Sequence, residues 1–283
     1  EHYRARGVKQ MTTTTALPTA LPAFAYAHLA EGRHQSTELT RGPWHPDHQH
    51  AGPPVALVCG AFEAAAQAHG LTHIARLTAN LIRPVPIGEL QVQITPVYVG
   101  RNAGHFSAQL LADGKEVGMF TALAQRENAL VLPDNLQGHP LPKAPRTPDE
   151  SPIAKFPFAG RHVGYSDLVE TRTAQGHIFG GPCAIWFRLR HPLQDGQAPS
   201  AYQRVAVAAD SGNGVSAVLD YERYSFVNSD LTIHMLRPPV GEWICLEART
   251  LLGSNGCGLA ESALYDEQGL IGRSLQSLAV KSR

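Results

Sequence analysis

Residues 77–84 read LTANLIRP and residues 231–238 read LTIHMLRP. Leu77, Thr78, Arg83 and Pro84 return as Leu231, Thr232, Arg237 and Pro238, each 154 positions later, and Gly118 returns as Gly272 at the same offset. A register kept over so long a span marks an internal duplication. The chain is therefore expected to hold two copies of one plan: an apolar helix, a strand ending in Arg-Pro, a short turn and three further strands. Between the copies, residues 132–157 carry prolines at 133, 140, 142, 145, 148, 152 and 157. Proline removes an amide donor and fixes φ, so this stretch suits neither a helix nor an interior strand. It reads as a linker between units at 17–131 and 158–283. Residues 1–16 are set apart as a head that is either disordered or appended upstream.

The helix expected from Pro53 to His69 is apolar almost all round, with proline at its start, Gly70 as its stop, and a polar stripe limited to Glu63 and Gln67. Such a helix must be wrapped on most sides. The segments after it alternate, as at Leu90, Val92 and Ile94 and at Phe106, Ala108 and Leu110, which is the period of half-buried antiparallel strands. A sheet curled around one central helix satisfies both patterns.

Composition removes several functions. With 24 basic and 24 acidic side chains the formal net charge is zero, so no global field favours nucleic acid or an anionic membrane. At 43% hydrophobic and 17% charged, the chain can bury a full core. No apolar run reaches membrane-spanning length, and the first residues lack the apolar centre of a secretory signal, so a cytoplasmic protein with no membrane span is expected. Cys59, Cys183, Cys245 and Cys257 show no C-x-x-C pairing and are expected as reduced core thiols. There is no G-x-S-x-G elbow, P-loop or dinucleotide fingerprint.

The second half, with WFRLRHP at 186–192, VAVAAD ending at Asp210, FVNSDLTIHMLRPPVGEW at 226–243 and GRSLQSLAV at 272–280, resembles the acyl-CoA thioesterase II family. The first half, with HAGPPVAL and ARLTANLIRPVPIG, is similar to the thioesterase-like branch of the same superfamily. The resemblance implies an α+β double hotdog, two tandem copies of an antiparallel sheet wrapped around a central helix. It implies hydrolysis of acyl-CoA to a free acid and CoA, with no metal or organic cofactor. In that family a helix Asp, a Ser or Thr and a Gln of the last strand hold and activate a water. Carried over residue by residue, these are Asp210, Asn228 and Gln276, and Asn228 departs from the family by replacing the hydroxyl.

A carboxylate can accept the proton of an attacking water, so thioester hydrolysis needs no covalent intermediate. Asn228 and Gln276 carry amide groups able to orient that water or fix the carboxylate. Backbone N–H groups at the start of the first helix, around Gly52 and Val55, are the expected oxyanion donors, with His50 and Gly52 at the mouth of a substrate tunnel. On the residues alone, Asp210 could equally end its helix, Gln276 could face solvent, and Asn228 could form an Asx-turn. The 154-residue offset places Ile74 opposite Asn228 and Ala122 opposite Gln276, so one active site per chain is expected. The run HPDHQH at 45–50 is a weak metal candidate. Arg83 and Arg237 are expected in salt bridges, and Phe62, Phe106 and Trp186 are expected to set tunnel depth. The competing readings are a binding protein for acyl-CoA or an acyl carrier, favoured by Asn228, and hydratase chemistry through His50. A further homodimer is expected from edge strands and family resemblance.

Overall fold

The computed structural model describes residues 20–137 and 140–283, so the head at 1–16 lies outside the described residues. The first copy contains β1 (Tyr26–Ala30), β2 (Arg33–Ser36), α1 (Gly52–Gln67), β3 (His73–Leu81), β4 (Glu89–Val99), β5 (Ala103–Ala112) and β6 (Lys115–Gln125). After the proline-rich segment come β7 (Ile153–Ala154), α2 (Tyr165–Leu168), β8 (Val169–Gln175), β9 (Cys183–Leu189), α3 (Ala201–Ala209) and α4 (Gly212–Ser216). The chain ends with β10 (Tyr224–Asn228), β11 (Asp230–Met235), β12 (Ile244–Leu252), β13 (Cys257–Asp266) and β14 (Gly269–Ser282). The described strands form one antiparallel sheet in the order β1-β2-β4-β5-β6-β3-β11-β14-β13-β12-β9-β8-β7, with β10 also on β14. This is the expected α+β architecture of two sheet-and-helix copies.

The duplication seen in the sequence is the seam of the sheet. β3 pairs with β11 so that Thr78 faces Thr232, Leu77 faces Ile233 and Ala79 faces Leu231. Thr78 and Thr232 are equivalent positions of the two copies, so a pseudo-twofold axis runs between them, where their hydroxyls lie 3.3 Å apart. The offset persists outward: β13 begins and ends 154 residues after β5 does. Even the irregularities repeat. The β5–β6 register shifts between Leu110 and Leu111, and the β13–β14 register shifts at the equivalent Leu264 and Tyr265.

α1 packs beside α3. Its N-terminal half, Val55 to Cys59, and Phe62 are fully buried or nearly so, together with Phe106 and Phe120 of the sheet. Each such large apolar side chain contributes roughly 1.5–3 kcal/mol by leaving water. Gly52 lets the start of α1 approach α3, since a Cβ there would lie 2.6 Å from the Val207 carbonyl oxygen. The helix spans Gly52–Gln67, close to the expected limits, and Gly70 takes a φ of +70° to reverse the chain into β3. The second copy has no such continuous helix: its counterpart is interrupted after Ala209, with Asp210 as C-cap, and resumes as the short α4.

Two sequence expectations change. The proline-rich segment is not wholly a connector, because Ile153 and Ala154 pair with β8. Of the four cysteines, all free, Cys59, Cys183 and Cys245 are buried but Cys257 is exposed at the start of β13. Among the described residues no helix is long and apolar enough to cross a membrane.

Gly272 sits where β14 crosses β11, and a Cβ there would lie 2.1 Å from the His234 carbonyl oxygen. Backbone on both sides leaves no cheap relief, so Gly272→Ala is expected to destabilise by about 1–3 kcal/mol, read as a lower midpoint in urea unfolding.

Candidate active site

A cavity of about 470 Å³ at the junction of the two copies is walled from both. The first copy supplies the turn at 42–51 and the end of β3, and the second supplies Phe156, Tyr165, the break between α3 and α4, and the end of β10. Asp210 lies on this wall. It is 8% exposed, and its position follows from the helix interruption, which turns the C-cap side chain of α3 toward the cavity.

Three side chains meet the Asp210 carboxylate. Asn228 Nδ2 donates to Oδ1 at 3.0 Å and Gln276 Nε2 donates to the same oxygen at 3.2 Å. Gln276, 2% exposed, also donates to the Asp210 carbonyl at 3.0 Å and accepts from the Asn213 amide at 3.1 Å. Its amide therefore staples β14 to both sides of the helix break. His50 Nδ1 stands 3.2 Å from Asp210 Oδ2. The three residues carried over by resemblance are thus brought together, and Asp210 bonds these groups rather than the Ser211 or Gly212 amides.

Asn228 reaches Asp210 because the strand is broken there. In the first copy the β3–β6 register shifts between Ile74 and Arg76. At the equivalent place in the second copy, β10 stops at Asn228 and β11 starts at Asp230. Asp230 Oδ1 accepts the Ser277 amide at 2.7 Å and holds the break open. Bulged strands re-aim side chains next to functional sites, and here one is enlarged into a gap. The counterparts Ile74 and Ala122 are each 1% exposed within the core, so the first copy has apolar packing where the second has polar groups.

His50 is held flat. Its ring stacks on Tyr165 with centroids 3.7 Å apart and planes 2° from parallel, and Tyr165 Oη bonds the Val207 carbonyl and Ser211 Oγ. The Gly52 amide also donates to His50 Nδ1, at 3.1 Å. One ring nitrogen cannot accept from Gly52 and donate to Asp210 together. With the proton on Nδ1, Asp210 is satisfied and the Gly52 N–H is released; with the proton on Nε2, the reverse holds.

Other expectations need correction. Val55 does not reach the cavity: its side chain is fully buried, and its amide donates to the Ala51 carbonyl inside the helix, so it has no N–H to give. Phe62, Phe106 and Trp186 are core residues and line no part of the cavity. The rings that do are Trp44, Phe156, Phe158, Phe179 and Phe226 with Tyr165. Their one sequence signal was the pair of aromatics, Phe156 and Phe158, bracketing the last proline of the linker. Arg237 forms the expected salt bridge, a two-pronged one to Asp266 at 2.6 and 2.7 Å. The residue matching Asp266 in the first copy is Ala112, and Arg83 instead donates to the Glu116 carbonyl at 2.5 Å and lines the cavity. In HPDHQH, His45 and His48 stack on each other while His50 turns to Asp210, and no metal-holding cluster occurs among the described residues.

Burial holds the His50 pKa below the ordinary imidazole value, against the weaker upward pull of Asp210. The unfolded chain then binds the proton at higher pH than the folded one. The stability contributed by neutral His50 is complete above the ordinary histidine range and is lost as pH falls through the lowered value. His50→Gln cannot take up that proton, so its melting temperature is expected to fall less than that of the wild type between pH 7 and pH 5. His34 and His48, whose pKa values are also lowered, remain in both proteins and cancel.

The chain matches known proteins over most of its length. The model of the acyl-CoA thioesterase N-terminal domain matches residues 40–126, and that of the C-terminal domain matches residues 138–280. A Thermobifida fusca structure, provisionally assigned as a thioesterase II, superposes with a TM-score of 0.70 at 16% identity, covering 92% of this chain and 96% of that one. A hot dog fold protein of unknown function from Alicyclobacillus acidocaldarius gives 0.68 at 17% identity, with 92% and 97% covered. An acyl-CoA thioesterase II from Mycobacterium marinum gives 0.62 at 13% identity, with 91% and 95% covered. No curated protein matches the chain. These structural likenesses carry the hotdog fold, and the two domain models carry the family: the chain belongs to the acyl-CoA thioesterase family of thioester hydrolases.

Proposed function

We propose that the protein hydrolyses acyl-CoA to a carboxylic acid and CoA at one site per chain, with Asp210 as general base. The observation that carries this reading is a carboxylate on the wall of an aromatic-lined cavity, with Asn228 and Gln276 on one oxygen and His50 on the other. A buried carboxylate is costly unless its oxygens are hydrogen-bonded, and these donors offset that cost while fixing its direction.

In the proposed reaction a water attacks the thioester carbonyl carbon and gives a proton to Asp210. The tetrahedral intermediate then collapses, breaking the carbon–sulfur bond, and the departing thiolate recovers the proton from Asp210 as CoA. Asn228 and Gln276 hold Asp210 in the orientation that meets the water. Donors for the oxyanion come from the start of α1, where Ala51 lines the cavity and the Gly52 amide is released when His50 donates to Asp210. No metal or organic cofactor enters this scheme. The aromatic walls receive the acyl group.

Asn228 also supports a second reading, an acyl-CoA-binding protein without turnover, because its amide donates to the very oxygen that must accept the proton. Free-CoA release followed with a thiol reagent across acyl-CoA chain lengths separates the two. Hydrolysis by the wild type, falling at least about 100-fold in Asp210→Asn with retained fold, is the expected outcome. A wild type that binds acyl-CoA without releasing CoA would establish the second reading instead. Glu63, whose carboxylate accepts from Ser200 Oγ at 2.6 Å at the start of α3, lines no part of the cavity. Glu63→Gln is accordingly expected to change kcat/KM less than about threefold, measured in the same assay.

A further inference from the structure

A second cavity, about 230 Å³, adjoins the first and shares Trp44, His45, Phe158 and Tyr165 with it. Its remaining side chains include Arg41, Arg161 and His162, and its lining contains no carboxylate. In a chain of zero formal net charge, this is a local concentration of cationic and donor groups. The acids nearest in sequence lie outside the lining, and Asp167 is engaged by the Gly164 amide at 3.0 Å.

The cavity is built rather than incidental. Arg41 Nε donates to the Pro46 carbonyl at 2.7 Å and Nη1 donates to the Val163 carbonyl at 2.6 Å. The two bonds tie the two loops that form the walls, and Nη2 makes no hydrogen bond among the described residues. The Tyr165 amide donates to the Arg41 carbonyl at 2.9 Å. Gly164 permits that closeness, since a Cβ there would lie 2.7 Å from the Arg41 oxygen. Arg161 is exposed and makes no side-chain hydrogen bond among the described residues, so its donors are uncommitted. Trp44, 55% exposed, stands between the two cavities with its ring against Phe158 and Phe226 at 6.2 and 6.1 Å.

We propose that this Arg41–Arg161 cavity binds the phosphate groups of the CoA nucleotide while the acyl thioester lies against Asp210 in the neighbouring one. The inference rests on the thioesterase reading and adds to it the recognition element that selects CoA over smaller thiols. A planar guanidinium held in place matches phosphate oxygens in paired hydrogen bonds. The exposed face of Trp44 offers a flat surface for the adenine. The arm joining nucleotide to sulfur passes the Trp44 and Phe158 boundary that both cavities share.

The test compares one acyl group carried by CoA, by 4′-phosphopantetheine and by N-acetylcysteamine, in the wild type and in Arg161→Glu. The expected result is that kcat/KM for acyl-CoA relative to the N-acetylcysteamine thioester falls by at least about tenfold in R161E, chiefly through KM, because a repulsive carboxylate replaces a phosphate contact. Acyl-4′-phosphopantetheine, which lacks the nucleotide, should be used markedly less well than acyl-CoA by the wild type. An unchanged ratio in R161E, or equal use of acyl-CoA and acyl-4′-phosphopantetheine, would overturn the assignment. Direct titration with adenosine 3′,5′-bisphosphate reads the cavity even where no thioester is hydrolysed. Binding to the wild type that weakens about tenfold or more in R161E supports the inference, and absence of binding sinks it independently of turnover.

Discussion

The antiparallel ladder between β3 and β11 sets the rest of the molecule, because it joins the same strand of two copies at their equivalent threonines. Thr78 opposite Thr232 sets β6 against β14, β5 against β13 and β4 against β12 across the seam, and the register shifts at Leu110 and Leu264 repeat with them. Each copy also leaves an apolar helix face that its own half-sheet does not finish covering, and α1 against α3 completes the burial. The first-copy edge strand β1 is tied in too, since Ala25 and Tyr26 donate to the Pro192 and Leu193 carbonyls of the second copy. The two copies thus share one core.

The candidate site lies where the symmetry fails. At equivalent positions the first copy has Ile74, Ala122 and a continuous helix, and the second has Asn228, Gln276 and a helix interrupted at Asp210. Bringing a carboxylate to a nearly buried place demands donors, and the enlarged bulge at 228–230 and the last strand deliver two amide groups to it. His50 comes from the first copy, so the candidate site is composite. The arginines diverge the other way: Arg237 is locked by Asp266, whereas Ala112 leaves Arg83 to line the cavity. One copy has apolar packing where the other has polar groups, and the cavity lies at their junction.

The duplication, the apolar helix and the strand pattern were legible in the chain because they rest on periodicity and a fixed offset, whereas the set Asp210, Asn228 and Gln276 came only through the family resemblance that the order of motifs carries. The misplacements share one cause. Val55 was expected at the site because helix starts offer free amides, but its amide is used within the turn. Phe62, Phe106 and Trp186 were expected to set tunnel depth through their packing, and the structure packs them into the core, away from the cavity. Phe156 and Trp44 went unread because they lie in irregular segments, and Tyr165 because it opens the one-turn α2, too short to show a period from which a direction follows.

The sequence by itself determined that two sheet-and-helix copies exist and where their shared strands repeat, and through its family resemblance it pointed to the copy that carries Asp210, Asn228 and Gln276. Those properties are local or repeated, and a period of two or a fixed offset is written in the order of residues. Only the tertiary structure decided that His50 meets Asp210, that Tyr165 holds it flat, and that Arg41 and Arg161 line a cavity beside Trp44. Residues 42–51 and 156–165 are irregular and far apart in the chain. They meet because the β3–β11 seam brings the copies together, and a contact across that distance has no signature in either segment alone.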